Sequence, residues 1–286
     1  MPVAIVLHAH PDDESSKGAG TVARLSGNGV DCVLVCATGG EAGDILNPTL
    51  DADSLMDRLP ELRRAELEKA AGIIGYQEVV HLGYRDSGMP DDEANAHPDA
   101  FVNAPPGEAL ASVVGLVRRH RPVVVFGYDA HERYPHPDHL EVHHITNEIV
   151  AAAGDASRYQ ELGDPWTVPL VVAPAFTVRK LTLLHEAMVE RGLPSPMAAR
   201  LERFAGLVDA GSRLVRVDVT GYIEQARDAL RAHETQIDPE GHWFQIPVQV
   251  VEEAYPFEDF EVMAGDREAL AKVGIFEDRD AASGRP

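Results

Sequence analysis

The stretch VAIVLHAHPDDESSKG runs from Val3 to Gly18. Its first part, Val3 to Ala9, is an apolar, β-branched run and reads as a strand. Its second part, HAHPDDESSKG from His8 to Gly18, crowds two histidines, three consecutive acids and a lysine into the loop that the strand delivers. Neighbouring acids repel one another, so the cluster needs a positive partner.

Outward from that loop, short β-rich runs alternate with helical patterns. Gly18 to Leu25 reads as a helix and DCVLVCAT, Asp31 to Thr38, as a second strand. PELRRAELEKAAGIIG is a helix with Pro60 in its first turn and an apolar stripe of Leu62, Leu67, Ala70, Ala71 and Ile74. EVVHLGY, Glu78 to Tyr84, is a third strand, Glu108 to His120 a helix, Pro122 to Asp129 a fourth strand and Asp138 to Ala153 a further helix. Apolar strands alternating with helices predict a Rossmann-like, doubly wound α/β fold, with a mostly parallel sheet covered on both faces. Beyond Gly154 the pattern loosens. PLVVAPAFTV and RLVRVDV read as strands, Leu181 to Val208 as broken helices and Tyr222 to His233 as a late helix. The expected organisation is a catalytic core over 1–175, a smaller α+β part over 176–277 completing the substrate pocket, and a frayed tail over 278–286.

The 286 residues carry 47 acids against 25 bases, a formal charge of -22. That excess argues against a nucleic-acid partner and against an anionic membrane surface. No run approaches the ~18 apolar residues of a membrane span, and too few apolar residues precede His8 for a signal peptide. Cys32 and Cys36 are too few and too close for a disulfide framework and read as small residues on one face of a strand. The expectation is a soluble, reduced, cytoplasmic protein; a homo-oligomer is compatible with the chain but not specified by it.

Ligands bind such sheets at strand carboxyl ends, where strand order reverses. With the order 3-2-1-4, the loop after strand one meets the loop after strand four, which reads YDAHERYPHPDH from Tyr128 to His139. Imidazole and carboxylate are zinc ligands, and a catalytic zinc keeps three of them plus water. His10 and Asp13 can reach one ion from a tight loop, and His139 can supply the third ligand. Either Asp12 or Asp13 could bind metal while the other serves as general base. His136 could steady an oxyanion or protonate a leaving amine, and Tyr134 could donate a hydrogen bond. A His139/His143 HxxxH pair is the alternative ligand arrangement. Gly18 to Ala23 also matches the loose dinucleotide pattern GxGxxA, which would make the chain a nucleotide-binding oxidoreductase. Its acidic surroundings oppose that reading.

AHPDDE (Ala9 to Glu14) and HPDH (His136 to His139) resemble the two signatures of the LmbE-like, or PIG-L-like, zinc-dependent N-deacetylases. A closer resemblance, carried by HAHPDDESSKG, ATGGEAGDILNP, RDSGMP, YPHPDH and HETQIDPEGHWF, is to the mycothiol S-conjugate amidases. The resemblance implies one Zn²⁺ per chain (Fe²⁺ suits the same ligands) on His10, Asp13 and His139. It implies Asp12 as general base, His136 as electrostatic partner or acid, and Tyr134 as a mobile oxyanion donor. It further implies that Lys17, Asp44, Arg63 and Asp86 bind substrate, a small thiol–sugar conjugate cleaved into glucosaminyl-inositol and an S-substituted N-acetylcysteine. An N-acetyl-sugar deacetylase is the alternative on the same scaffold. For Arg63 and Glu66 the plain alternative is a surface i,i+3 ion pair, and for Asp86 a turn residue. The amidases have glycine-rich sequence before YPHPDH. Here His131, Glu132 and Arg133 stand there, a departure that bears on which substituent the pocket rim accepts.

Overall fold

Strand β1, Val3–His8, alternates its apolar side chains between two cores. Ala4 and Val6 face one, with Val22 and Leu25 of the Ala19–Gly27 helix and Ala229 of the Ile223–Ala232 helix. Ile5 and Leu7 face the other, with Val113, Val114 and Val117 of the Glu108–His120 helix and Ile149 of the Pro137–Gly154 helix. A strand buried on both faces has no use for a polar alternation, which is why the run is uniformly apolar.

The computed structural model describes residues 1–130, 134–204 and 213–278. The expectations for His131, Glu132 and Arg133 and for the tail at 279–286 therefore lie outside the described residues. The strands after β1 are β2 (Asp31–Thr38), β3 (Glu78–Tyr84), β4 (Val124–Phe126), β5 (Val171–Pro174), β6 (Leu214–Asp218), β7 (Phe257–Ala264) and β8 (Phe276–Asp278). They form one sheet in the order β3-β2-β1-β4-β5-β7-β6-β8. The first five pair in parallel and the last three join antiparallel. The doubly wound α/β class and the order 3-2-1-4 hold. β7 and β8 were not foreseen. In β7, Phe260 and Val262 point inward, but buried Asp259 and half-buried Glu258 and Glu261 stand among them, so the apolar pattern of this eight-residue segment is weak.

Cys32 and Cys36 are free and buried on one face of β2. Among the described residues no helix is long and apolar enough to cross a membrane.

The dinucleotide reading of Gly18 to Ala23 fails on geometry. The N-terminus of the Ala19–Gly27 helix is already filled by a carboxylate. Glu258 of β7 accepts hydrogen bonds from Gly20 N (3.1 Å), Thr21 N (2.8 Å) and Thr21 Oγ1 (2.6 Å). A pyrophosphate would have to displace that anion from the positive end of the helix. Gly20 is small for packing reasons: a Cβ there would lie 3.0 Å from the Val219 side chain.

Candidate metal and active site

β1 and β4 are neighbours, so the loops at their carboxyl ends share one cleft. After β1 the chain turns through His10 and Pro11 and enters a four-residue helix, Asp13–Ser16. After β4 it reaches His136, whose Nδ1 accepts the Asp138 backbone N–H (3.2 Å) and so caps the Pro137–Gly154 helix. Pro137 suits that first turn. His139 then lies in the first turn of the helix, aimed back at the β1 loop.

Three donor atoms converge there. His10 Nδ1 is 3.3 Å from His139 Nε2 and 3.6 Å from Asp13 Oδ2, and His139 Nε2 is 3.5 Å from Asp13 Oδ2. All three residues are buried. The tautomer of His10 follows from its other nitrogen, Nε2, which lies 3.1 Å from Asp138 Oδ2. A carboxylate only accepts, so Nε2 carries the hydrogen and Nδ1 presents a lone pair to the cluster. With both imidazoles neutral and their lone pairs turned inward, a cation among the three atoms would satisfy all of them at once. Tetrahedral zinc with bonds of about 2.0–2.1 Å sets its ligand atoms about 3.3–3.4 Å apart. The observed triangle fits that size.

Asp138 is the orienting carboxylate behind His10. It is fully buried and also accepts from Ser87 N (3.0 Å) and Ser87 Oγ. This is the outer support expected of a metal-binding histidine. Asp86 lies 3.5 Å from His10 Nε2 and 3.8 Å from His136 Nε2, and its Oδ1 accepts from Gly88 N (2.8 Å). It is thus both a turn residue and a neighbour of the two imidazoles. The His136 ring lies edge-on to that of His10, with centroids 4.4 Å apart; burial and the nearby His10 both push its pKa down. Tyr134 is about half exposed, with its ring 5.1 Å from His139. The HxxxH alternative does not form. His143 Nδ1 bonds the Tyr128 carbonyl (3.0 Å), and its Nε2 accepts from Asn147 (2.9 Å).

The two aspartates differ. Burial works to raise the Asp13 pKa, but Lys17 and the histidines outweigh it and hold the carboxyl well below its usual range. Lys17 Nζ donates to Asp13 Oδ1, the oxygen turned away from the triangle. Asp12 is raised by burial and by Asp13, against the pull of Arg63. Its backbone is left-handed, with φ 115°.

Arg63 is buried and makes no surface pair with Glu66. It donates from Nη1 to Gly40 O (2.9 Å), and from Nη2 to Pro11 O (2.6 Å) and Asp12 Oδ2 (3.2 Å). A Cβ on Gly40 would fall 2.3 Å from that guanidinium, so glycine is required where the loop crosses it. Glu66 instead accepts from Thr235 N (2.8 Å) and Thr235 Oγ1 (2.7 Å). The Asp44 side chain is exposed, and its carbonyl accepts from Gln236. Asp138, Ser87, Glu14 and His233 carry contacts that sequence reasoning assigned to no one. All four stand inside or beside the quoted motifs, but nothing local says what they touch.

The family model of the GlcNAc-PI de-N-acetylases (PIG-L) matches residues 5–150, which include both loops. The chain belongs to this family. As a PIG-L family member it is a hydrolase of C–N amide bonds. It is 38% identical over 266 residues to the mycothiol S-conjugate amidase of Streptomyces coelicolor, with 90% of each chain covered. It is 32% identical over 285 residues to the 1D-myo-inositol 2-acetamido-2-deoxy-alpha-D-glucopyranoside deacetylase of Streptomyces avermitilis, covering 96% of each. The N,N'-diacetylchitobiose deacetylase of Pyrococcus horikoshii shares the PIG-L member's fold, with a TM-score of 0.60 at 19% identity over 91% of this chain and 83% of that one.

Proposed function

We propose that the chain is a zinc-dependent amidase that cleaves mycothiol S-conjugates, or a related thiol–sugar conjugate, into glucosaminyl-inositol and an S-substituted N-acetylcysteine. The observation that carries the reading is the buried triangle of His10 Nδ1, Asp13 Oδ2 and His139 Nε2. It would hold one ion per chain, with Fe²⁺ the other divalent metal suited to these ligands. When bound, zinc supplies Lewis-acid polarisation of a carbonyl and makes water more acidic. Asp12, with its raised pKa, takes a proton from the attacking water. The water oxygen bonds to the carbonyl carbon. His136 and Tyr134 donate to the developing oxyanion. The C–N bond then breaks, and the proton passes to the leaving amine.

The substrate assignment is supported by the amidase relative, which is more similar over most of the chain than the deacetylase of Streptomyces avermitilis. Lys17, Asp44, Arg63 and Asp86 bind the conjugate in this reading, and residues 176–277 complete the pocket built on the 1–175 core. Two free, buried thiols suit a cytoplasmic setting. The second reading, removal of acetate from an N-acetylglucosaminyl-inositol, is favoured by the deacetylase relatives. A panel of both substrates, assayed with metal-reconstituted protein, decides. Release of S-substituted N-acetylcysteine is expected. Acetate as the sole product would replace the amidase reading with the second one.

A further inference from the structure

Asp12 is not a glycine, yet it holds a backbone conformation in which a side chain crowds its own carbonyl. Such a residue persists only where its surroundings over-determine it. By position Asp12 is the N-cap of the Asp13–Ser16 helix, but its side chain makes no capping bond. Its carboxylate is instead paired through Oδ2 with Arg63 (3.2 Å), and the task of holding the backbone passes to others.

One of those others is Glu14. Its Oε2 accepts the Asp12 backbone N–H (2.9 Å). Glu14 is completely buried, and a buried carboxylate needs partners. Its Oε1 accepts from Ser15 Oγ and meets His233 Nε2 at 2.6 Å. His233 is also completely buried, and it comes from the other end of the chain, 219 residues away. It ends the Ile223–Ala232 helix and starts a turn that is itself fastened. Thr235 bonds Glu66, one helical turn after Arg63, and donor groups of Asn47 and Leu46 reach the Glu234 and Thr235 carbonyls. The turn at 233–236 therefore ties together the β1 loop, the β2 loop and the Leu59–Ile74 helix.

We propose that Glu14 and His233 act as a pair of positioning residues that fix the left-handed backbone of residue 12 and so aim the Asp12 carboxylate. The inference deepens the proposed function, because it rests on Asp12 as the proton acceptor. Neither residue touches substrate. His233 sets the Glu14 carboxylate, and Glu14 sets the Asp12 amide. In this arrangement the segment that follows β6 also supports the reaction from behind the site, through a turn.

The test compares His233→Leu, which removes the donor, with His233→Gln, whose Nε2 can replace it, in the metal-loaded protein. His233→Leu should lose about tenfold or more in kcat with KM within about threefold, while His233→Gln stays within about threefold of the parent. Metal content should match the parent in both. A second readout is independent of activity. Exchange of the Asp12 amide should quicken by about tenfold or more in His233→Leu, with β1 and β2 amides unchanged and with protection kept in His233→Gln. If His233→Leu does not fold, Glu14→Gln takes its place with the same expectations. An unchanged kcat, metal loss in step with activity, or unchanged Asp12 exchange would overturn the proposal. If the parent enzyme cleaves no amide in the panel, the functional reading fails, and the exchange measurement still decides the positioning.

Discussion

The parallel strands β3-β2-β1-β4-β5 and the antiparallel strands β7-β6-β8 belong to one sheet, and both bury polar groups, but those groups end differently. In the antiparallel part the buried carboxylate of β7, Asp259, is closed off by donors. Asp259 accepts from Thr177 Oγ1 and Tyr255 OH, both at 2.6 Å. Arg216 lies 4.1 Å from the Phe257 ring centroid. At the carboxyl ends of the parallel strands, three atoms able to ligate a metal converge instead: His10 Nδ1, His139 Nε2 and Asp13 Oδ2 lie within 3.6 Å of one another. A buried polar group met by a donor is architecture. A set of buried lone pairs aimed at a common point is a site.

The sharpest way to test the site half of that contrast is to remove a ligand and, separately, the base beside it. His139→Ala should lose bound metal and more than about 10³-fold in kcat, because no remaining residue restores the triangle. Asp12→Ala should keep the metal and lose about 10²–10⁴-fold. Metal analysis beside kinetics checks both; equal metal loss would erase the distinction between ligand and base. In the parent enzyme kcat should fall on the acid side as Asp12 gains a proton. The midpoint should lie above the ordinary aspartate range, because burial raises that pKa.

A smaller effect is expected where the two halves pack together. Phe260 of β7 is fully buried, with ring centroids 5.5 Å from Phe126 of β4 and 5.9 Å from Phe276 of β8. Phe260→Ala should cost about 3–5 kcal/mol of stability in a denaturant titration. Activity per folded molecule should stay near that of the parent. A large loss of kcat in the folded fraction would show that the antiparallel core shapes the site directly.

The smallest expected effect is at Glu258. Glu258→Ala removes the anion from the N-terminus of the Ala19–Gly27 helix and should cost about 1–2 kcal/mol. A melting curve should show a fall of about 2–4 °C for each kcal/mol lost. No change would mean that water replaces the carboxylate without penalty.

Much of the parallel half was legible beforehand. β1, β2 and β3 announce themselves as apolar or β-branched runs, and the Glu108–His120 helix as a 3.6-residue pattern. The site loops were legible because histidine, aspartate and proline are crowded where strands end. β7 was not, because Phe260 and Val262 are set among Glu258, Asp259 and Glu261. For Arg63 the surface-pair alternative fails, because the side chain is buried. Its buried bonds go to carbonyls of two other loops, and carbonyls carry no sequence signature.

Residue order alone determined the doubly wound class, the strand-end placement of both motifs and the kinds of ligand they offer, because periodicity and side-chain chemistry are local properties. Only the folded chain decided which lone pair of His10 faces inward, that Asp138 stands behind it, and that His233 reaches Glu14 across 219 residues. Those contacts depend on how distant segments close over one another, and no window of sequence contains both partners.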